Sequence, residues 1–534
     1  MAPLKRQASE AGEVEVLGLV QELRSVNGSQ DAKAKAAKVL CAIASRGSAS
    51  NASAVASASA DTSRPITGEP ASALRTEPPA RLVVRCGAIA PLTALVANGN
   101  DQGQIAAAGT LAALANAHAD IRLAIADARA VTPLVQLLRK GSNKAAAAAA
   151  AALSSLSELA AVQAPIVTAG GVLPLVRLLR MDLADSQYFA AAALSNVCAG
   201  SAAVQNAAAA AGAVPALISM LQSGKVQTPA AVALAKLAAG NETICAEITR
   251  DGLAPLLALL NGANVPAKVQ AAAAIAELSR GNAETQASVA RAGGLRPLIA
   301  MLEGRNTGAA QVQGARALAS VSDGHRANQN AIARLGGLQA LIHLLDVGLA
   351  DREPHVQAAA ARALSAACHL HKANQSFAAE LGVTSMLVNL LHVKRPDQVK
   401  AGAASAVWAL CTGGHQNRKR CQSAVALLVA LLAPSTDETA AEHAANALAA
   451  LSEADERNQA LITAQLVDLL GRSSNATSKT SEESADERRQ RFAARRGTQS
   501  NAISLLWRLL EENEGSHHVV RLQLYTSLCG AARA

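Results

Sequence analysis

The sequence predicts an all-α protein built as a row of stacked helical repeats. Three observations predict it. The chain has 534 residues, more than one hydrophobic core can organise. A phrase closing on a leucine pair recurs at a spacing near forty residues, which marks a repeat array. Hydrophobic residues make up 51% of the chain, yet aromatic residues make up only 1%.

Composition justifies the helices. The apolar residues are mainly alanine and leucine, which have high helix propensity. The aromatic residues that strands favour are nearly missing. Small alanine side chains also let neighbouring helices approach closely.

The recurring phrase justifies the stacking. It reads GAIAPLTALV from Gly87, RAVTPLVQLL from Arg129, GGVLPLVRLL from Gly170 and GAVPALISML from Gly212. It continues as DGLAPLLALL from Asp251, GGLRPLIAML from Gly293 and GGLQALIHLL from Gly336, with weaker copies from Gly382, Ser423 and Leu461. Its sixth residue runs from Leu92 through Leu134 and Leu175 to Leu466, at intervals of 38 to 46 residues.

Each unit reads as three helices. A short helix such as Asp120–Ala128 ends at a glycine, because the corner needs a left-handed backbone. Proline then sits in the first turn of a second helix, where its missing N–H costs nothing. A polar loop such as Asn143-Lys144 or Lys225-Val226-Gln227 leads into a longer third helix. In RALASVSDGHRANQ from Arg316 and RALSAACHLHKANQ from Arg362, a helix leucine precedes a loop asparagine by ten residues. The pairs Leu111/Leu114, Leu194/Val197, Leu234/Leu237 and Ile275/Leu278 each lie on one helix face. One unit cannot bury that face, so the units must stack.

The glycine–proline corner, followed by an alanine-rich helix ending A-L-x-x-L, resembles the armadillo repeat over roughly residues 81–471. The resemblance implies a right-handed superhelical α-solenoid of stacked three-helix armadillo repeats. It implies a non-catalytic scaffold or adaptor that holds a protein partner along a concave groove. In peptide-gripping members of that family an asparagine ladder lines the groove. By resemblance the ladder position holds Ala113, Asn196, Lys236, Glu277, Ser320, Ala366, Ala409 and Ala450 here, and only Asn196 fits. The paired tryptophan position holds no tryptophan; it carries Arg316 and Arg362 in consecutive repeats. Asn196, Lys236, Glu277, Arg316, Ser320 and Arg362 are therefore the candidate partner-binding residues. The arginines suit an acidic segment, since guanidinium pairs carboxylate or phosphate in fork geometry.

The ends and interruptions complete the organisation. Residues 1–16 read as a polar tail and 17–45 as a degenerate N-terminal repeat. Residues 46–80 are a Ser/Ala/Pro-rich insertion expected to be disordered, as is the polar and basic stretch 472–500. Residues 501–534 read as helices capping the stack. The cluster Arg488–Arg496 is either a localisation signal or a solvated surface, and the solvated reading is favoured. The uncharged stretch 186–224 is long enough to span a membrane, but Asn196, Gly200 and Pro215 interrupt it. It reads as two buried repeat helices.

Other function classes find little support. The net charge of +9 is spread along the chain with no basic patch joined to aromatic residues, which argues against nucleic acid. The eight cysteines are scattered and read as buried small residues rather than a disulfide framework. No P-loop, GxSxG or HExxH occurs, and Cys368-His369-Leu370-His371 does not have a zinc spacing. No catalytic residue, cofactor, metal or small-molecule substrate is expected. The expected chain is a monomer in the cytoplasm, with the nucleus as a second compartment, since the N-terminus lacks an apolar signal core. Two alternatives remain: a membrane-associated adaptor of the vacuolar armadillo kind, and the substrate-recognition subunit of a ubiquitin ligase complex.

Overall fold

The computed structural model describes residues 2–25, 28–45, 78–304, 306–346, 353–392, 394–433, 437–453 and 455–475. Every regular element among them is helical. Most of the first insertion, the cluster Arg488–Arg496 and the segment 501–534 lie outside the described residues. The chain divides into two compact units, residues 1–255 and 256–534.

The first unit opens with α1 (Ala2–Arg24) and α2 (Gln30–Ser45). Triplets follow: α3 (Pro79–Arg85), α4 (Ile89–Asn98) and α5 (Asp101–Ala117), then α6 (Ala119–Asp127), α7 (Val131–Lys140) and α8 (Asn143–Leu156). Next come α9 (Ala160–Thr168), α10 (Val172–Leu179) and α11 (Ala184–Val197), then α12 (Ala202–Ala210), α13 (Ala213–Ser223) and α14 (Gln227–Ala238). Helix α15 (Glu242–Asp251) follows, and α16 (Leu253–Asn261) carries the chain into the second unit.

The second unit continues with α17 (Val265–Ser279). Its triplets are α18 (Ala283–Arg291), α19 (Leu295–Ala300) and α20 (Gly308–Ser322), then α21 (Arg326–Arg334), α22 (Gly337–His343) and α23 (Pro354–Cys368). They are followed by α24 (Lys372–Glu380), α25 (Val383–Leu390) and α26 (Asp397–Cys411), then α27 (His415–Cys421), α28 (Val425–Ala430) and α29 (Glu438–Ser452). The described chain ends in α30 (Glu456–Asn475).

The third helices form the spine of each unit. In the first, α2, α5, α8, α11 and α14 pack serially, each on the next. In the second, α17, α20, α23, α26 and α29 do the same. The predicted faces are buried: Leu111, Leu114, Leu194, Leu234 and Ile275 have no exposed surface, and Leu153 and Leu156 on α8 are buried in the same way. Each such leucine contributes about 2 kcal/mol of apolar burial. Alanine and glycine set the spacing. At Gly402 a Cβ would stand 2.9 Å from the Ala358 carbonyl oxygen and 3.2 Å from the Ala361 side chain, so α26 meets α23 at backbone distance.

The corner between first and second helices is the one expected. Gly87, Gly170, Gly212, Gly293, Gly336 and Gly382 all have φ between 76° and 84°. Arg129 takes the same place at φ 55° without being glycine. The copy from Asp251 turns differently, since Gly252 has φ −104°. The last copy has no glycine, and α30 runs straight through the position where the corner would fall. A second left-handed corner, between third and first helices, was not legible. It uses Gly200, Gly240, Gly281 and Gly324, with Leu370 in the equivalent place at φ 52°.

Several boundaries differ from the expectation. Helix α1 begins at Ala2, inside the segment read as a tail, and α3 begins at Pro79, inside the first insertion. Residues 186–224 contribute to three helices, α11, α12 and α13, rather than two. No single described helix is long and apolar enough to cross a membrane. Asn328 and Asn374, read as loop asparagines, lie on α21 and α24 and are 2% and 3% exposed.

Those asparagines belong to a buried amide network. Asn328 donates through Nδ2 to the carbonyls of Gln286 at 2.9 Å and Val321 at 2.8 Å. Asn374 repeats this one triplet later, to Gln329 at 3.1 Å and Ala367 at 2.8 Å. The glutamine beside each asparagine reaches the third helix of its own triplet. Gln329 donates to the carbonyls of Ala366 and His369, and Gln375 to that of Ala409. Each amide thus satisfies backbone carbonyls that burial would otherwise leave unpaired.

Two stability outcomes follow. Leu370→Gly raises the urea midpoint by the equivalent of about 1 kcal/mol, because a left-handed leucine is strained and this side chain, 71% exposed, packs on little. Asn374→Leu costs about 3 kcal/mol in the same measurement, since two buried carbonyls lose their donor.

Candidate functional site

The six candidate residues fall in two groups, one in each unit. In the first unit Asn196 stands near the end of α11, and Lys236 stands on α14. One N–H of the Asn196 side chain is already engaged. Its Nδ2 donates to Ser157 Oγ at 3.0 Å, and Ser157 is fully buried. Lys236 is exposed, and its carbonyl accepts from Gln205 Nε2 at 3.0 Å.

The second unit brings four candidates onto three successive third helices: Glu277 on α17, Arg316 and Ser320 on α20, and Arg362 on α23. Glu277 Oε1 accepts from two arginines, Arg280 Nη2 at 3.0 Å and Arg316 Nη2 at 3.4 Å. Arg316 also donates through Nη1 to Gln313 Oε1 at 3.1 Å. Arg316 and Glu277 are 45% and 26% exposed, so solvent holds this ion pair below about 1 kcal/mol.

Arg362 sits differently. No carboxylate pairs with it among the described residues. Burial against its neighbours, and then the charge of Arg316, push its pKa below the ordinary arginine value. It stays protonated, because arginine starts so high. The difference between the arginines has a simple source. The position that holds Glu277 one helix before Arg316 holds Ser320 one helix before Arg362. A hydroxyl cannot neutralise a guanidinium.

Two further side chains, one of which senses Arg362, were not singled out as site residues from sequence. His443 on α29 has its pKa lowered, chiefly by burial and secondarily by Arg362, while Glu442 acts to raise it. Its buried Nδ1 has no hydrogen-bond partner. Trp408 on α26 lies against His369, ring centroids 4.9 Å apart, with its indole partly exposed. A lone histidine and a tryptophan out of register carry no pattern that would have flagged them.

The register row is also held from behind. The carbonyls of Lys236, Ser320, Ala366 and Ala409, all at the ladder position, accept from Gln205, Gln286, Gln329 and Gln375 respectively. These glutamines fix the backbone that carries the candidate side chains.

The Cys368-His369-Leu370-His371 run has packing roles. Cys368 is fully buried and its thiol is pushed up to about 12 by that burial. His371 caps α24, with Nδ1 accepting from the Asn374 N–H at 3.2 Å and Nε2 meeting Asn330 Oδ1 at 2.9 Å. Among the described residues no group of three or more His, Cys, Asp or Glu is placed to hold a metal ion.

Comparison with known proteins places the fold but not a function. No protein-family model matches the chain, and no curated protein does. An engineered protein determined by the Northeast Structural Genomics Consortium aligns with a TM-score of 0.63 at 29% identity, covering 82% of this chain and 99% of its own. The chain shares with it an all-helical, repeat-like fold. Two other engineered proteins from the same consortium align at 31% and 29% identity over 44% and 45% of this chain and 97% and 98% of theirs. Their TM-scores, 0.42 and 0.41, are too low to bear on the fold.

His443 reports on the site by its titration. Its NMR midpoint falls below the usual histidine value near 6.5 and rises toward it in Arg362→Ala. Because the folded value is depressed, this histidine leaves stability untouched well above pH 6.5. It destabilises the fold as pH falls below that, where the unfolded chain binds the proton first.

Proposed function

We propose that the chain is a non-catalytic scaffold or adaptor of the armadillo type, which holds a partner protein on the open face of its third helices. One observation carries this reading. Arg316 and Arg362 occupy the same register on consecutive third helices, and the carboxylate there, Glu277, pairs with Arg316 and Arg280 but not with Arg362. The surplus positive charge on a surface fixed by buried amides favours an acidic segment of the partner. The serial packing of third helices within each unit supports the solenoid assignment. The cytoplasm is the proposed compartment.

Two experiments test the reading. Arg316→Glu combined with Arg362→Glu reduces partner capture in an affinity pull-down to background, while helicity by circular dichroism is retained. Unchanged capture removes these residues from the interface. For the solenoid, small-angle scattering of the purified chain gives an elongated, curved particle, and a compact sphere contradicts it.

A further inference from the structure

The third helix that carries Arg362 ends on an irregular corner. Where a third helix turns into the next first helix, four corners use glycine: Gly200, Gly240, Gly281 and Gly324 have φ between 62° and 77°. The corner after α23 holds Leu370 in the same left-handed region, at φ 52°. A leucine there is strained, because its Cβ crowds the neighbouring carbonyl. Strain of this kind gathers at sites of function, where a side chain is needed more than an easy backbone.

The fold gains little from this side chain. Leu370 is 71% exposed. At Gly200, Gly240, Gly281 and Gly324 an added Cβ would meet no atom within 4 Å, so this corner faces open space in the other triplets too. Glycine would close the corner without strain, as it does at those four positions. A strained leucine that packs on little inside the chain is accounted for by something it meets outside.

Its surroundings suit that role. His369, one residue earlier, lies against Trp408 of α26 with ring centroids 4.9 Å apart, and both residues are partly exposed. The His369 carbonyl accepts from Gln329 Nε2 at 3.1 Å, which pins the corner. Arg362, Ala366 and His369 recur at i, i+4 and i+7, so they follow one face of α23 to its end. At 1.5 Å per residue, the backbone of His369 stands roughly 10 Å along the helix from that of Arg362. That face carries an exposed charge at one end and an apolar side chain just past the other.

We infer that Leu370 is the apolar anchor of the partner surface: it takes a leucine-like side chain from the same acidic segment that Arg316 and Arg362 attract. This rests on the adaptor reading proposed above. The carboxylates of the segment pair with the arginines, and one aliphatic side chain leaves water against Leu370. The leucine is thus kept for binding at a cost in stability.

The probes are fluorescein-labelled peptides of glutamate, serine and alanine, about twelve residues long, enough to cross four third helices when extended. A single leucine replaces each alanine in turn, and fluorescence anisotropy against the full chain gives the affinities. At one placement or more, leucine tightens binding to the wild type about tenfold over the all-alanine parent. In Leu370→Gly, the variant expected to fold more stably, that gain disappears while the parent peptide binds as before. Leu370→Asn, which also tolerates a left-handed corner, behaves like the glycine variant, and Leu370→Met keeps most of the gain. No gain at any placement, or a gain that survives both Leu370→Gly and Leu370→Asn, overturns the anchor. Failure of the adaptor reading looks different: Arg316→Glu with Arg362→Glu leaves parent-peptide binding and partner capture unchanged. If that double reversal weakens the parent peptide but the Leu370 variants change nothing, the charged surface stands and the anchor alone falls.

Discussion

The structure depends on one constraint: a third helix cannot be covered inside its own triplet. Its leucine face is wide, and the two shorter helices beside it cover only one side. The remaining side must meet the third helix of a neighbour, so α23 needs α26 as much as α26 needs α23. Alanine and glycine satisfy the constraint by letting backbones approach, as at Gly402. The choice has a consequence. Short side chains bury little apolar area per contact, so the interfaces need a second source of cohesion.

The buried amides supply it. Each asparagine reaches back to the preceding triplet, and each neighbouring glutamine reaches forward to the third helix of its own. A slip of one triplet against the next would break several of these bonds together and strand their carbonyls in a dry interior. That is more costly than losing a leucine contact, because an unmet polar group is penalised beyond the bond itself. Where the glutamine is replaced, the substitute bonds back to a carbonyl at the end of the preceding third helix. Cys245 donates to the Ala238 carbonyl at 3.1 Å, and Arg418 to that of Cys411 at 3.4 Å.

The repeat period, the glycine corner and the leucine faces were legible because each rests on a residue type with one dominant use. The rest was hidden where one residue type has two uses. Asparagine and glutamine are usually solvated, so the stretch after Ser322 read as loop, although Asn328 and Gln329 are nearly fully buried. Arg129 and Leu370 occupy glycine corners without being glycine, which breaks the pattern a reader follows. At the candidate site the sequence showed the residue types, but not their engagement. Asn196 has the amide expected of a ladder, yet one of its N–H groups is bonded to Ser157. A hydrogen bond between residues 39 positions apart leaves no trace in composition or spacing.

The same logic explains why register alone does not make the two arginines alike. Along the row one helix earlier, the side chain changes from carboxylate at Glu277 to hydroxyl at Ser320 to methyl at Ala366. Arg316 reaches the carboxylate; Arg362, with a hydroxyl at the equivalent position, has no carboxylate partner among the described residues. Repeats that share a backbone can thus differ in charge through one position on the neighbouring helix, with no change in packing. The buried network keeps the backbone constant while the exposed row varies. A surface organised in this way can change its charge through exposed positions such as these, and the residues that hold the stack together need not change with them.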